Sequence, residues 1–404
     1  MFKLPNRSEL RINYLYLLIF FLPISSWLVS LTGQLTISLI RDILVLLLFL
    51  TVLPRVNLQK IKSLPIFLII VYIFWILLSY FWSEASTLQW LRGVRFSAVP
   101  MLFLLTLSLA NFTQSEKKSI FKSVIWVSVF IVTLSIPELI GVKLPLVTAI
   151  SSQGTLSADH FVGAANLHRL QSVLAGPNAF GLYLLVLITI VLSWGKELKT
   201  PKWLIWVYFL IAILTFSRSV WIGLVVLSFV ALVSRYKFRV TKVAQLIAIL
   251  LIVCAGIFVL ARKSATVNQI VTHGVSTNER FAEYKRIWQT RHDIGLLGRG
   301  AGDAGPTTQN RLDDGPNYWT ESTYLDTFEE FGLIGLLLFI SIIVLLWRKI
   351  VVAPSDNPTF RTARLLVPAF LVAGLFISLY TGQVAVYTFL LILGSADSNE
   401  EQLE

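Results

Sequence analysis

The stretch ILTFSRSVWIGL, residues 213–224, sets Arg218 with two serines between apolar runs that each look long enough to enter a membrane. A cation near hydrocarbon is costly, and ionisable groups in such places usually mark function. Two readings stand: an arginine snorkelling to the interface, or a donor in an anion site facing a cavity. Arg41 in SLIRDILVL is similar, although Asp42 beside it points to a structural role at a span's edge. Arg92 and Arg95 in WLRGVRFS fall at the start of a span, on the same side as Arg218. Collected on one face and at one depth, these arginines would suit a phosphate or diphosphate, which guanidinium groups grip through paired donors. A further arginine, Arg169, opens HRLQSVLAGPNAFGLYLL (168–185), where Gly176 and Pro177 punctuate the loop and Asn178 is the expected N-cap of the next helix. Acid chemistry gathers in YWTESTYLDTFEEFGLIGLLLF (318–339), with Glu321, Asp326, Glu329 and Glu330 just ahead of an apolar run. Partly desolvated carboxylates there can act as general bases. The plainer reading of each is a solvated acidic helix N-terminus favoured by the helix dipole.

The elements that must position these residues are membrane helices. Of 404 residues 56% are hydrophobic and only 14% charged, with a mean hydropathy of +0.75, which excludes an ordinary soluble domain. Long apolar runs recur along the whole chain, and the alternation of a membrane β-barrel is missing. The class is an all-α polytopic membrane protein of about twelve transmembrane helices. The expected spans are 12–31, 36–53, 65–82, 94–111, 119–140, 178–194, 203–217, 219–234, 243–261, 325–347, 364–381 and 383–395. Cys254 is the single cysteine, so no intrachain disulfide forms.

A net charge of +12 would suit nucleic acid, but its distribution argues otherwise. Alternate short segments (the N-terminus, 54–63, 114–122, 195–202, 234–242 and 347–364) each hold three or four Lys or Arg, and the short segments opposite hold none. That is the positive-inside pattern, with N- and C-termini cytoplasmic. The chain divides into a bundle over 1–261 with an outer loop near 141–177, a large outer loop over 262–324, C-terminal helices over 325–395 and an acidic tail over 396–404. The basic residues in the two outer loops escape the orientation rule and call for anions.

Within the large loop, Ser276 with Glu279 forms a capping-box pattern. Phe281, Tyr284 and Trp288 then recur at helical spacing, giving an amphipathic helix suited to an interface or to covering a cavity. The glycines of GLLGRGAGDAG only superficially match a nucleotide fingerprint, because no βαβ unit surrounds them. No cluster of histidines and carboxylates stands at metal-ligand spacing, and His160, His168, His273 and His292 all fall in the outer loops.

Taken together, these clusters resemble the O-antigen ligase and O-antigen polymerase superfamily of bacterial envelope glycosyltransferases, over roughly residues 165–340. Arg169 through Gly181 is similar to the family's arginine ahead of Pro-Asn and a span, and Ser217-Arg218 to its Ser-Arg at a span boundary. Arg280, with Trp288 and GRGAG following, looks like the family's loop-helix arginine. In ESTYLDTFEEFGLIG, Tyr324-Leu325, Glu330, Gly332 and Gly335 fall in register with its closing pattern. Where ligases carry a histidine this chain has Glu321, followed by Ser322 instead of asparagine, a departure that leans towards the polymerase branch.

The resemblance implies a GT-C-like bundle in the bacterial cytoplasmic (inner) membrane. It acts on a glycan donor carried by undecaprenyl diphosphate and a glycan or lipid-linked acceptor, among membrane lipid and other polysaccharide-assembly proteins, without nucleic acid, cofactor or metal. Arg218, Arg280 and Arg169 would hold the diphosphate and Glu321 would deprotonate the acceptor hydroxyl, inverting the anomeric centre. His168, Asn178, Tyr324 and Trp288 would touch acceptor or sugar, and Tyr284, Tyr318 and Trp319 could stack on sugar rings or pack the lid. Two readings of other classes compete: a transporter of sugar, lipid or small anion, although no internal repeat or midplane polar cluster is evident, and a non-catalytic envelope scaffold.

Overall fold

The computed structural model describes residues 7–32, 35–56, 58–140, 149–151, 154–156, 161–162, 167–174, 176–235, 274–353, 357–379 and 383–398. The expected span at 243–261 lies outside the described residues, as do His160, His273 and Cys254. The helices are α1 (Arg7–Thr32), α2 (Ser38–Val52), α3 (Leu58–Ile61), α4 (Leu64–Leu78), α5 (Thr87–Leu109), α6 (Gln114–Leu134), α7 (Ile136–Leu139), α8 (Pro177–Trp194), α9 (Trp203–Leu214), α10 (Arg218–Arg235), α11 (Gly274–Ile294), α12 (Thr323–Val352), α13 (Pro358–Gly374) and α14 (Gln383–Asp397). Among the described residues between α7 and α8 are two short antiparallel ribbons, Ala149–Ser151 with Gly154–Leu156 and Phe161–Val162 with Leu167–His168.

Six helical stretches among the described residues are long and apolar enough to cross a membrane: Glu9–Val29, Leu64–Phe81, Thr87–Leu109, Gln114–Leu139, Pro177–Trp194 and Thr323–Val352. Shorter apolar helices cover 203–214, 218–234 and 383–397. The chain is a multi-pass helical membrane protein. At the centre stands α8, apolar on every side and buried along nearly its whole length by α9, α10, α13 and α14, as a helix without a polar face must be. The peripheral helices instead turn apolar side chains outward, among them Phe20, Ile43, Phe67, Phe74, Trp126 and Leu210. A hydrocarbon solvent accepts such a surface.

Two expected boundaries shift for local reasons. The span expected at 94–111 begins seven residues earlier at Thr87, because Ser86 Oγ accepts the Gln89 N–H and caps a full turn ahead of Arg92. The loop before α8 ends with Gly176 as N-cap and Pro177 at the first helical position, so Asn178 lies inside the first turn instead of capping it. Likewise α11 begins at Gly274, upstream of the proposed cap Ser276.

The connections sort to two ends. At one end Arg11 pairs with Glu116, Lys349 with Asp397, and Lys117 donates to the Ser395 carbonyl. At the other, which we call the site end, gather the turn at 83–86, the loop around 169–174, the α9–α10 break, the segment 295–322 and the α13–α14 turn at 375–379.

Candidate active site at one end of the bundle

The α9–α10 break explains the placing of Arg218. Phe216 turns the chain with a left-handed φ of 50°, and α10 restarts at Arg218. Arg169 spans the break from the preceding loop: its Nε donates to the Thr215 carbonyl at 2.9 Å and Nη2 to Asn178 Oδ1 at 3.0 Å. Asn178 thereby orients an arginine, a role its helix-start position does not reveal. Glu138 braces the same loop by accepting the Gln171 and Ser172 N–H groups at 3.0 and 3.2 Å.

Arg280 arrives from α11. Its guanidinium forms an ion pair with Glu321, in the segment leading into α12. Burial pushes the Arg169 guanidinium down to about 10, and the positive charges of Arg218 and Arg280 push in the same direction. Arg280 is lowered first by burial and then by Arg218, while Tyr284 and Glu283 act the other way. Three arginines from three elements thus sit within electrostatic reach of one another, with Glu321 at their edge. Like charges crowded at a partly buried place destabilise each other unless an anion joins them.

The α13–α14 turn ties these elements together. Its Phe376 carbonyl accepts from Ser219 Oγ beside Arg218, its Leu375 carbonyl from the Tyr284 hydroxyl one turn beyond Arg280, and its Ile377 carbonyl from Thr323 Oγ1 beside Glu321. Sequence reading missed this hub, because backbone carbonyls carry no side-chain signature.

The other acids behave differently from Glu321. Asp326, Glu329 and Glu330 are buried, which overturns the solvated-helix reading. Asp326 Oδ1 accepts Thr320 N–H and Oγ1 and steadies the approach to Glu321. Glu329 takes a two-pronged contact from Arg286 of α11, with Arg299 3.6 Å away. Tyr318 lies between those guanidiniums, 4.9 and 4.0 Å from its ring centre. Glu330 accepts the Gly302 N–H at 3.0 Å.

The glycine-rich segment is a clasp. At Gly332, φ is 68° and α12 kinks. The Glu329 and Glu330 carbonyls accept from Arg299 and Gly300, while Leu333 and Ile334 donate to the Gly295 and Leu296 carbonyls. Gly302 then packs on Gly93 of α5, so close that a Cβ on Gly93 would stand 2.1 Å from the Gly302 nitrogen. Asp303 Oδ2 accepts from Ser83 Oγ and the Glu84 and Ala85 N–H groups.

Several expected contacts are engaged elsewhere or stand apart. The Tyr324 hydroxyl donates to the Leu371 carbonyl at 2.9 Å, inside the bundle. Trp288 is exposed, with Arg291 stacked on it. The His168 backbone lies in a ribbon strand, and its side chain is outside the described set. The single arginine ring splits in two: Arg41 and Arg95 share Asp42 between α2 and α5, away from Arg169, Arg218 and Arg280.

Residues 203–340, from α9 into the middle of α12, match the family model for O-antigen ligase. Arg218, Arg280 and Glu321 lie within the match, and Arg169 and Asn178 precede it. No curated protein matches the chain.

Proposed function

We propose, from the match of residues 203–340 to the O-antigen ligase family model, that the chain is an inverting glycosyltransferase of the O-antigen ligase and polymerase kind. It acts on undecaprenyl-diphosphate-linked glycans at the outer face of a bacterial cytoplasmic membrane and polymerises polysaccharide repeat units. The observation that carries this reading is the meeting of Arg280 and Glu321 beside Arg169 and Arg218. Arg169, Arg218 and Arg280 bind the diphosphate and stabilise the negative charge that grows on it as the glycosidic bond breaks. The acceptor hydroxyl oxygen attacks the anomeric carbon, its proton passes to Glu321, and the electron pair of the broken C–O bond leaves with the diphosphate. Inversion follows from the single displacement.

The ion pair adds a condition. While Glu321 is engaged by Arg280, its carboxylate is held away from base work. A donor diphosphate is the stronger claimant on Arg280, carrying more charge and more acceptor oxygens. Donor binding therefore frees the carboxylate, and the base becomes competent only when there is a glycan to transfer. The family description favours the second reading, transfer of a finished glycan to a lipid or other acceptor. Glu321 in the place of the ligase histidine favours the first.

Cells lacking the protein, complemented with wild type or Arg280→Ala, decide the matter through their lipid-linked glycan profile. Single repeat units accumulating on the carrier, with long chains gone, identify a polymerase. Long chains accumulating on the carrier identify a ligase. An unchanged profile, or full rescue by Arg280→Ala, overturns the arginine–diphosphate mechanism.

A further inference from the structure

Arg218, Arg280 and Glu321 come from three separate stretches of chain. Arg218 opens α10, Arg280 lies in the second turn of α11, and Glu321 stands two residues ahead of α12. Misplacement by about 1 Å can cost a reaction roughly 100-fold, so the three need a common frame. The α13–α14 turn has the geometry of one. Helix α13 ends at Gly374, and the carbonyls of 375, 376 and 377 follow in succession. Each is met by a hydroxyl from a different element: Tyr284 donates to Leu375 at 3.3 Å, Ser219 to Phe376 at 3.0 Å and Thr323 to Ile377 at 3.0 Å. Each donor is a near neighbour of one reactive group. Ser219 adjoins Arg218, Tyr284 is one helical turn beyond Arg280, and Thr323 lies two residues after Glu321.

Buried hydroxyls generally find a carbonyl, and elsewhere in this bundle they find a local one. Thr215, Thr327 and Thr362 each donate to a carbonyl three or four residues back. Ser219 and Thr323 are equally buried, yet they reach 157 and 54 positions along the chain to the same turn. Thr323 is held from both sides, because its Oγ1 also accepts the Leu379 N–H at 2.8 Å. The turn itself is rooted in the bundle. Ala363, Leu366, Ala369, Phe370 and Ala373 of α13 are fully buried, and the helix packs on α8, α10, α12 and α14. Groups mounted on a rigid element keep their mutual geometry.

We propose that Ser219, Tyr284 and Thr323 are positioning residues, which set Arg218, Arg280 and Glu321 in register through three consecutive carbonyls of one turn. Ser219 and Tyr284 serve the arginines, and so the grip on the diphosphate. Thr323 serves Glu321, and so the transfer of the proton. The use of the three reactive groups rests on the transferase reading; the frame rests on the hydrogen bonds alone.

The test uses the full chain in detergent and in complemented cells. Ser219→Ala and Tyr284→Phe should weaken pyrophosphate binding about three- to tenfold, read from the concentration that raises the melting temperature. Thr323→Val, which keeps the volume and loses both hydrogen bonds, should hold pyrophosphate as well as wild type or better. Cells carrying it should lose transfer by about tenfold or more, and Thr323→Ser should restore it. Transfer unchanged in Thr323→Val, or pyrophosphate binding unchanged in the other two, overturns the proposal. Thr362→Val removes a hydroxyl at the opposite end of α13 and should alter neither reading. If it reproduces the Thr323→Val defect, general loosening is the cause and the proposal falls. Hydrogen exchange needs no substrate: Ser219→Ala should raise exchange over 320–326, a segment to which Ser219 is joined through the turn. Unchanged exchange there overturns the common frame and leaves the transferase reading standing. Faster exchange, together with an unchanged glycan profile in cells lacking the protein, keeps the frame and removes the transferase reading. Should Thr323→Val not fold, the exchange result with Ser219→Ala decides alone.

Discussion

At the residue scale, Arg280 stands between a carboxylate of its own chain and the anion proposed to displace it. Glu321→Gln is expected to slow transfer by about 10²–10⁴-fold, the range of general-base catalysis, while donor binding is kept or tightened because Arg280 loses its ion pair with Glu321. A loss of binding in parallel with activity would instead make Glu321 a structural brace. Arg169 gives a dependence on pH. Burial and its like-charged neighbours bring it down to about 10, well below the usual guanidinium range. Above that value the unfolded chain keeps a proton that the folded protein sheds, so stability without an anion rises with pH from about 10 upward. Bound anion needs the charged form. The rise in melting temperature given by pyrophosphate should therefore be full below about pH 10 and shrink as pH climbs through it. In Arg169→Gln that pH dependence should vanish, and its persistence there would assign the titration to another group.

At the element scale, the clasp over 295–315 and the α12 kink are one device. Gly302 has a φ of 85°, and a Cβ there would stand 2.4 Å from the Gln89 carbonyl oxygen. Gly302→Ala should destabilise the protein by about 1–3 kcal/mol, and Gly93→Ala on the opposing surface by a similar amount, read as thermal unfolding in detergent. The two together should cost less than their sum, because each alone already opens the same contact. Asp313 should act as an acid-sensitive rivet. The Arg311 guanidinium holds it down to about 2, against 3.8 for the free side chain, and Asp313 Oδ2 accepts the Ser86 N–H. Its contribution is complete above about pH 4 and is lost as pH falls towards 2, so hydrogen exchange at 84–90 should rise over that interval and stay flat with pH in Asp313→Asn. Little of this was legible beforehand. Helix positions followed from long apolar runs and Pro177, but GRGAG gave no hint that its glycines serve a close approach to α5, since Gly93 and Gly302 are 209 positions apart in the sequence. The burial of Glu329 was hidden for the same reason: its partner Arg286 lies on another helix.

At the scale of the whole molecule, the described connections sort to two ends, with Arg11, Lys117 and Lys349 at one and the Arg169–Arg218–Arg280 group at the other. Single cysteines at Glu84 and Asp314, in a Cys254→Ser background, should react with an impermeant maleimide in intact cells. Cysteines at Lys118 and Glu197 should react only after permeabilisation, and the reverse result would invert the proposed orientation. The site was legible as a set of residue types, with Arg218 singled out by a charge between apolar runs, Glu321 by an acidic cluster ahead of one, and Arg280 by the family resemblance alone. Their hub at 375–379 was not, because it works through carbonyl oxygens. The kink at Gly332 has a consequence for biogenesis. Four backbone hydrogen bonds of α12 are made with residues 295–300, which are synthesised earlier and, in the proposed orientation, cross the membrane first. The outermost turns of α12 can be completed only if that stretch waits at the surface when the helix enters the bilayer. A chain cut or lengthened between 295 and 300 would insert a helix with an open seam, and quality control would meet it as an unfinished membrane segment before any substrate did.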